Sequence, residues 1–487
     1  MRSANQIIIV GESHNRALTA AYGSKFMYTP ALDGLASRGT IFENSYCASP
    51  ICVPARASIA TGLYPHQHRY WENSIALDGK TPTWMKRLRD QGYHVAGIGK
   101  FHFRNGEDDN GFTEEIVPMH LAEGLGELLG LLRSQDAEPQ RKGLWDLYTK
   151  RCGPGDETTY QAYDRLVTQK SIEWIRQHAN DAKPWALCIH YVSAHAPYTV
   201  PRDLLELYPI DKIELPATFS PEKRPQHPAL SHLREILAHD PSIDPELIKL
   251  LTASYYAAIT YLDREVGQVL DCVDALDLRD KTRVAYTADH GYSSGNHFIV
   301  GLFNLYEHSV GVPLIMAGPD IEAGHKVAQQ TSHVDLFPTI LDSFTVPMLQ
   351  EDSRVAGSSL WPALAGTEDL ERPAFAEYHA LGSRTASYLY RKHDDKLLYH
   401  VGMPAQMYDL GADPDEERDV ANEPEYVDRL ASLIKGLNEI VSPEETDALA
   451  KRDQQARIAE LGGPENLVKL RKGFVYSPPP GAQWKSM

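Results

Sequence analysis

Cys52 opens a run, Cys52-Val53-Pro54-Ala55-Arg56, that continues Ala57-Ser58-Ile59-Ala60-Thr61-Gly62. A thiol is the natural nucleophile of such a stretch, and a neighbouring histidine could serve as its base. Proline fits the first turn of a helix, so a helix beginning near Pro54 would set Cys52 and Arg56, four residues apart, on one face. Other polar groups stand where apolar runs end. Asp289-His290 pairs a carboxylate with an imidazole, a set able to hold a divalent cation and equally able to cap a loop. Lys100 and His102, two residues apart, share one side of an extended segment. The lysine is a compact positive charge for a bound anion, and the histidine a base near neutral pH. His195, in Ser193-Ala194-His195-Ala196-Pro197-Tyr198, would by itself be read as structural.

The elements that must position these groups follow from hydrophobic pattern. Residues 7–10 are apolar and close at Gly11, as a strand buried on both faces would, and deliver Glu12, Ser13 and His14 at its carboxyl end. The form recurs at 95–98 before Gly99-Lys100, at 185–192 before His195, at 284–288 before Asp289, and at 313–316 before Gly318. Between them, Tyr163, Leu166, Val167, Trp174 and Ile175 fall on one helical face, as do Tyr255, Ile259, Leu262, Val266, Val269, Leu270 and Val273. This alternation predicts an α/β fold with a doubly wound, largely parallel sheet whose ligands bind at the carboxyl ends of the strands. Residues 212–244, rich in Pro, His, Glu and Ser, read as a long surface excursion. After Gly366 the character changes to short strands at 374–377, 386–391 and 396–400, then Met407-Tyr408-Asp409-Leu410 and an acidic turn. The expected division is a catalytic domain over 1–366 and a C-terminal subdomain with an extended tail over 367–487, helical at 444–460 and carrying Pro478-Pro479-Pro480 near its end.

Length and charge narrow the function classes. The chain has 487 residues, enough for a large interior, and its 48 basic against 66 acidic residues give a formal net charge of −18. That balance argues against a general binder of nucleic-acid phosphates, and an anionic substrate would need local positive charge. The opening residues carry no signal-peptide core and no window spans a bilayer, so a cytoplasmic protein with no nucleic-acid or membrane partner is expected. Five scattered cysteines are unlike a secreted disulfide framework, and Cys188 and Cys272 read as buried fillers.

Cys52 to Arg56 resembles the signature of the formylglycine-dependent sulfatases, and Gly92-Tyr93-His94-Val95-Ala96-Gly97-Ile98-Gly99-Lys100-Phe101-His102 resembles their second signature. The resemblance implies an alkaline-phosphatase-like fold with a small C-terminal antiparallel sheet. It also implies oxidation of Cys52 to formylglycine by a maturation enzyme that reads Cys-x-Pro-x-Arg. By the same likeness a divalent metal (Ca, Mg or Mn) is held by Glu12, Asp289 and His290, and Arg56 braces the aldehyde hydrate. Lys100 neutralises the anion, His102 acts as base, and His195 protonates the leaving oxygen of a small-molecule ester. His66, His68 and Asn73 belong to a stretch often near such sites, with the two histidines open between site and scaffold. In related phosphonate monoester hydrolases and choline sulfatases a C-terminal tail wraps a neighbouring subunit, which makes a homo-oligomer the expectation.

Two positions depart from the pattern. Ser13 offers a neutral hydroxyl where a second carboxylate or amide is usual, and Leu302 stands where a lysine four residues before the tyrosine would reach the sulfate. His297 and Asn304 are the polar groups near enough in sequence to contribute, while Phe298 and Phe303 make that region apolar. Three readings stay open: sulfate-ester hydrolysis through formylglycine; the same fold acting on phosphonate monoesters, phosphodiesters or a less charged ester or amide, in the extreme with an unmodified Cys52 thiol and no metal; and a catalytically silent binding homologue.

Overall fold

The computed structural model describes residues 3–134, 138–470 and 477–481. Its centre is an eight-stranded sheet of β1 (Asn5–Gly11), β2 (Gly39–Tyr46), β3 (His94–Lys100), β4 (Glu114–Met119), β5 (Trp185–His190), β6 (Thr282–Ala288), β7 (Leu314–Ala317) and β8 (His325–Ser332). Their spatial order is β8-β2-β7-β6-β1-β5-β3-β4. β1 is central, parallel to β5 on one side and β6 on the other. All four of its apolar residues, Ile7 to Val10, are fully buried, which is why the run shows no alternation.

Helices cover both faces. On the face carrying Ile7 and Ile9 lie α2 (Thr159–His178) and α4 (Pro245–Ala275), through Tyr163, Val167, Trp174, Leu262, Val266 and Val269. On the face carrying Ile8 and Val10 lies α1 (Cys52–Thr61), through Ala57, Ile59 and Ala60. Local signals start the long helices: Thr158 and Gln161 form a reciprocal capping box ahead of α2, and the Asp244 side chain accepts from Glu246 N–H ahead of Pro245 at the first position of α4.

The sheet is largely parallel, as expected, with β7 antiparallel to both neighbours. The connection from β6, residues 289–313, begins and ends at the carboxyl end of the sheet with no crossover helix, so the chain can only return in the opposite direction. Residues 212–244 are no simple surface excursion, because α3 (Pro228–Ile236) buries Leu230, Leu233 and Ile236 in the main core. Its three-residue apolar spacing is masked in composition by the surrounding Pro and His.

The C-terminal region forms a four-stranded antiparallel sheet, β9 (Ala374–Tyr378), β10 (Ser387–Lys392), β11 (Asp395–His400) and β12 (Gln406–Asp409), backed by α5 (Val427–Ile440). It is tied to the catalytic sheet by charge: buried Lys396 contacts Glu307 at 2.9 Å and Glu416 at 2.7 Å, and Glu307 also pairs with Arg16. α6 (Pro443–Glu460) returns across the molecule, where its Gln454 accepts from Arg133 at 2.9 Å. Of the tail expected to reach a neighbouring subunit, residues 471–476 and 482–487 lie outside the described residues, and the Ser477 carbonyl accepts from Tyr160 Oη at 2.6 Å. Cys188 and Cys272 are buried and all five cysteines are free. No helix of the described residues is long and apolar enough to cross a membrane.

Candidate active site around Cys52

Residue 52 is the first residue of α1, two residues earlier than the proline suggested, and sits 4% exposed at the carboxyl end of the sheet. Its Sγ lies 3.0 Å from Glu12 Oε1, to which it donates, and 3.4 Å from His290 Nε2. Burial, and then the Glu12 charge, push the thiol well above its ordinary range.

Glu12 follows β1, and Asp289 and His290 follow its neighbour β6, so parallel pairing alone brings the three together. Asp289 N–H donates to Gly11 O at 3.1 Å, and Ser13 N–H donates to Asp289 Oδ1 at 3.2 Å. Ser13 thus serves through its backbone, held in the left-handed region at φ 53° with its carbonyl accepting from Tyr255 Oη at 2.6 Å. His290 Nδ1 lies 2.9 Å from Gly291 O, which can only accept. The ring therefore presents Nε2, 3.7 Å from both Glu12 Oε1 and Asp289 Oδ1.

Two cations hold the carboxylates. Arg56 donates from Nη2 to Glu12 Oε2 at 2.6 Å, from Nε to Asp289 Oδ2 at 3.0 Å and from Nη1 to Lys100 O at 2.5 Å. Lys100 Nζ donates to Glu12 Oε2 at 2.8 Å. Burial opposes ionisation of both acids. At Glu12 it is overcome, with Lys100 and Arg56 holding the carboxyl well below its usual range; at Asp289 burial prevails, with the Glu12 charge added, and its pKa rises.

Lys100 is delivered by Gly99, whose φ of 109° is left-handed and whose missing side chain leaves room for His190 O, 2.0 Å from where a Cβ would be. His102 follows at φ 54°, buried, with neither ring nitrogen bonded to protein. Burial, then Lys100, holds its pKa well below the histidine range. His195 donates from Nδ1 to Ala196 O at 2.6 Å, and burial and Lys100 push it down to about 4. Cys52, Lys100, His102, His195, Asn73 and Leu302 border one cavity of about 70 Å³.

Asn73 accepts from Val53 N–H at 3.1 Å, steadying the start of α1. The three other expected contacts fall elsewhere. His66 is bound to Glu377 at 2.8 Å, His68 to Ser58 Oγ at 3.1 Å and to Tyr70 N–H at 2.9 Å, and His297 to Glu416 O at 2.9 Å while stacked 3.8 Å from Tyr306. None of them borders the cavity. His66 and His297 are held by partners distant in sequence, and His68 by Ser58 of α1 and the Tyr70 backbone. Leu302 and Phe303 do form an apolar wall, beside Tyr148, Tyr160 and Leu381.

The sequence reading passed over two supports. His190 ends β5 and its Nδ1 lies 3.1 Å from Arg56 Nη1; its place at a buried strand end was the available signal. Asp164 of α2 accepts from Val192 N–H and Ser193 N–H, both at 2.8 Å, fixing the loop that carries His195. Nothing local marks Asp164, because its partners arrive from the loop after β5.

A model of the sulfatase family matches residues 4–346, and one described as N-sulphoglucosamine sulphohydrolase, C-terminal, matches 295–442. The chain belongs to the sulfatase family. It is 28% identical over 433 residues to a choline-sulfatase of Rhizobium meliloti (strain 1021), covering 86% of this chain and 83% of that protein. Among solved structures, the phosphonate monoester hydrolase of Agrobacterium radiobacter superposes with a TM-score of 0.71 at 21% identity, covering 90% of this chain and 95% of that one. A protein solved with its substrate D-glucosamine-2-N,6-O-disulfate superposes at 0.71 and 22%, covering 93% and 99%. The fold is thus that of the sulfatases and phosphonate monoester hydrolases of the alkaline phosphatase superfamily, and the chain is a sulfatase-family hydrolase.

The sulfatase donor set suits a cation. Ligand atoms of Glu12, Cys52, Asp289 and His290 lie within 4.8 Å of one another, all buried, and the Glu12–Asp289 repulsion that raises Asp289 is one a divalent ion would relieve.

Proposed function

We propose that this sulfatase-family hydrolase cleaves a small-molecule sulfate ester, with residue 52 as nucleophile after oxidation to formylglycine. The observation that carries the reading is the convergence of Cys52, the Lys100 ammonium and an unbonded His102 on one cavity, with the buried Glu12-Asp289-His290 donor set grouped around the same Cys52. Hydrated formylglycine would supply a diol oxygen to attack sulfur, and Ca²⁺, Mg²⁺ or Mn²⁺ on Glu12, Asp289 and His290 would neutralise charge there.

The remaining work falls to the chain's own side chains. Arg56 keeps two like-charged carboxylates adjacent by bonding to both. Lys100 places a positive charge at the wall where the anion enters. His102, neutral and unbonded, is free to take a proton from the nucleophilic centre. His195, on the cavity wall with Nδ1 donating to Ala196 O, would protonate the leaving oxygen once a bound anion favours its imidazolium form. Leu302, Phe303 and Leu381 keep water from that side.

Direct attack by an unmodified thiol is opposed by the Glu12 carboxylate, 3.0 Å from Sγ, where it would repel a thiolate. A second reading has a specific observation behind it. The wall at Leu302 and Phe303 is apolar and lacks a cation, which suits the carbon substituent that a phosphonate monoester carries in place of one sulfate oxygen. Chain produced with a formylglycine-generating enzyme, offered aryl sulfate and aryl phosphonate monoester side by side, separates the two. Faster sulfate release supports the first reading, faster phosphonate hydrolysis the second, and turnover of neither overturns both.

A further inference from the structure

A second cluster of ligating side chains lies far from Cys52. His94 opens β3, at the opposite end from Lys100 and so about 20 Å away at 3.3 Å per residue. Glu114 opens the neighbouring edge strand β4, where it stands opposite Ala96. His94 and Ala96 are two residues apart, so the His94 and Glu114 side chains leave the sheet on the same face. That face is covered by the end of α2, which contributes His178 as its last residue. One ligand atom from each of His94, Glu114 and His178 lies within 4.8 Å of the others.

The surroundings hold these groups in place. Trp174, one turn before His178, donates from Nε1 to Glu114 Oε1 at 2.8 Å. Its ring stacks on His178 at 4.1 Å and meets His94 edge-on at 5.4 Å, while the two imidazoles stand at 88° with centroids 4.7 Å apart. Trp185 Nε1 donates to His178 O at 3.1 Å, fastening the helix end to β5. His178 Nδ1 lies 2.7 Å from Asp181 Oδ2, which fixes the proton on Nδ1 and leaves Nε2 as a lone-pair donor. A carboxylate behind an imidazole is the usual support of a metal-bound histidine. His94 Nε2 lies 2.9 Å from Glu114 Oε1, a bond that a metal ion would replace with release of a proton.

We propose that His94, Glu114 and His178 form a second metal site, which takes Zn²⁺ or a similar borderline transition ion and staples the edge strand β4 to β3 and α2. Two imidazoles and one carboxylate favour Zn²⁺, Co²⁺ or Ni²⁺ over the hard cations suited to the Glu12 site. Side-chain exposures of 30% for His94, 41% for Glu114 and 21% for His178 leave one side open for water as a further ligand. The site is remote from the catalytic cavity, so its effect is on stability and not on turnover.

The test is Zn²⁺ titration of chelator-stripped full-length protein held in saturating Ca²⁺, read by calorimetry and thermal unfolding. The expected result is one more Zn²⁺ equivalent for wild type than for His178→Gln or His94→Gln, with a Tm gain of several degrees confined to wild type and with Co²⁺ giving an imidazole-type visible band. Asp181→Asn should weaken this equivalent by about tenfold. His178→Gln, at a partly exposed helix end, keeps the test open should His94→Gln fold poorly. Equal stoichiometry and equal Tm shifts in wild type and His178→Gln, or no Zn²⁺ retained by wild type beyond the Glu12 site, would overturn the proposal.

Discussion

Arg56 donates to Glu12 at 2.6 Å with both side chains at zero exposure, and the same guanidinium reaches Asp289 at 3.0 Å. One residue of α1 thereby joins the ends of two adjacent parallel strands. Removing one partner of a buried pair leaves an uncompensated charge and typically destabilises by about 3–5 kcal/mol. Arg56→Ala is therefore expected to lower stability by that order in urea unfolding, and Arg56→Lys, which keeps the charge but not the fork, by less. A loss under about 1 kcal/mol for Arg56→Ala would show that Lys100 suffices for Glu12 and the Ser13 and His290 N–H groups for Asp289.

Cys52 makes few packing contacts that alanine could not replace, since its thiol faces Glu12 and the cavity. Cys52→Ala is expected to abolish turnover while leaving Tm within a few degrees of wild type. Cys52→Ser should behave likewise when the chain is expressed where serine is not oxidised. Peptide mass spectrometry of the active wild type should show residue 52 about 18 Da lighter than cysteine, as the aldehyde requires of its nucleophile. Full activity in a preparation whose residue 52 is all thiol would refute the formylglycine reading.

Leu302 borders the cavity at 5% exposure, on the side without a cation. Leu302→Lys would bring an ammonium to the anion at the expense of a buried charge near Lys100. On aryl sulfate kcat/KM should rise about tenfold, with a smaller change on a phosphonate monoester and a lower Tm. A fall on both substrates with unchanged fold would mean that the apolar wall itself grips the leaving group.

Stability should pass through a maximum close to neutrality. Burial pushes His68, His239, His297, His333 and His400 down to about 3 and His308 to about 4. These bind protons more readily when unfolded, so stability falls as pH drops below roughly 6.5. The opposite sign applies to acids raised by burial, Glu72 to about 8 and Asp164, Asp263 and Glu416 to about 7. The folded state holds their protons, so their contribution is fully present below roughly pH 4 and is lost progressively from there until pH passes roughly 7 to 8. Tm measured from pH 5 to 9 should peak between roughly 6 and 7, with the fall on the acid side softened because the raised acids there offset part of the histidine loss. A flat profile from pH 5 to 7 would show that these histidines are hydrated in the folded protein.

The strand ends were legible because a run such as Ile7 to Val10 has no stable place except between two covering layers, and the polar residues after it must emerge at a sheet end. The second sheet was legible through short apolar runs at 374–400, which became β9 to β11. The direction of β7 was not, since four apolar residues read the same either way and only the connection decides. Histidine roles were also beyond the sequence. His66 finds Glu377 311 positions away and His297 finds Glu416 119 positions away, so local pattern could not separate them from His102, whose ring is left unbonded.

Asp164 is a positioning residue whose two backbone hydrogen bonds at 2.8 Å hold Val192 and Ser193. The next residues of that loop are locked to the nucleophile's neighbour: Glu12 N–H donates to Ser193 O at 2.9 Å, and Ala194 N–H donates to Glu12 O at 2.7 Å. Asp164 therefore sets both the entry of the His195 loop and the backbone of Glu12. Asp164→Asn substitutes an amide NH2 for one acceptor and turns it against an N–H, a loss of about 1–3 kcal/mol in a buried site. If the loop orients His195, kcat should fall tenfold or more while KM changes little, because the binding wall of Leu302 and Phe303 lies on a different segment. A lower Tm with unchanged kcat would instead limit Asp164 to holding the fold.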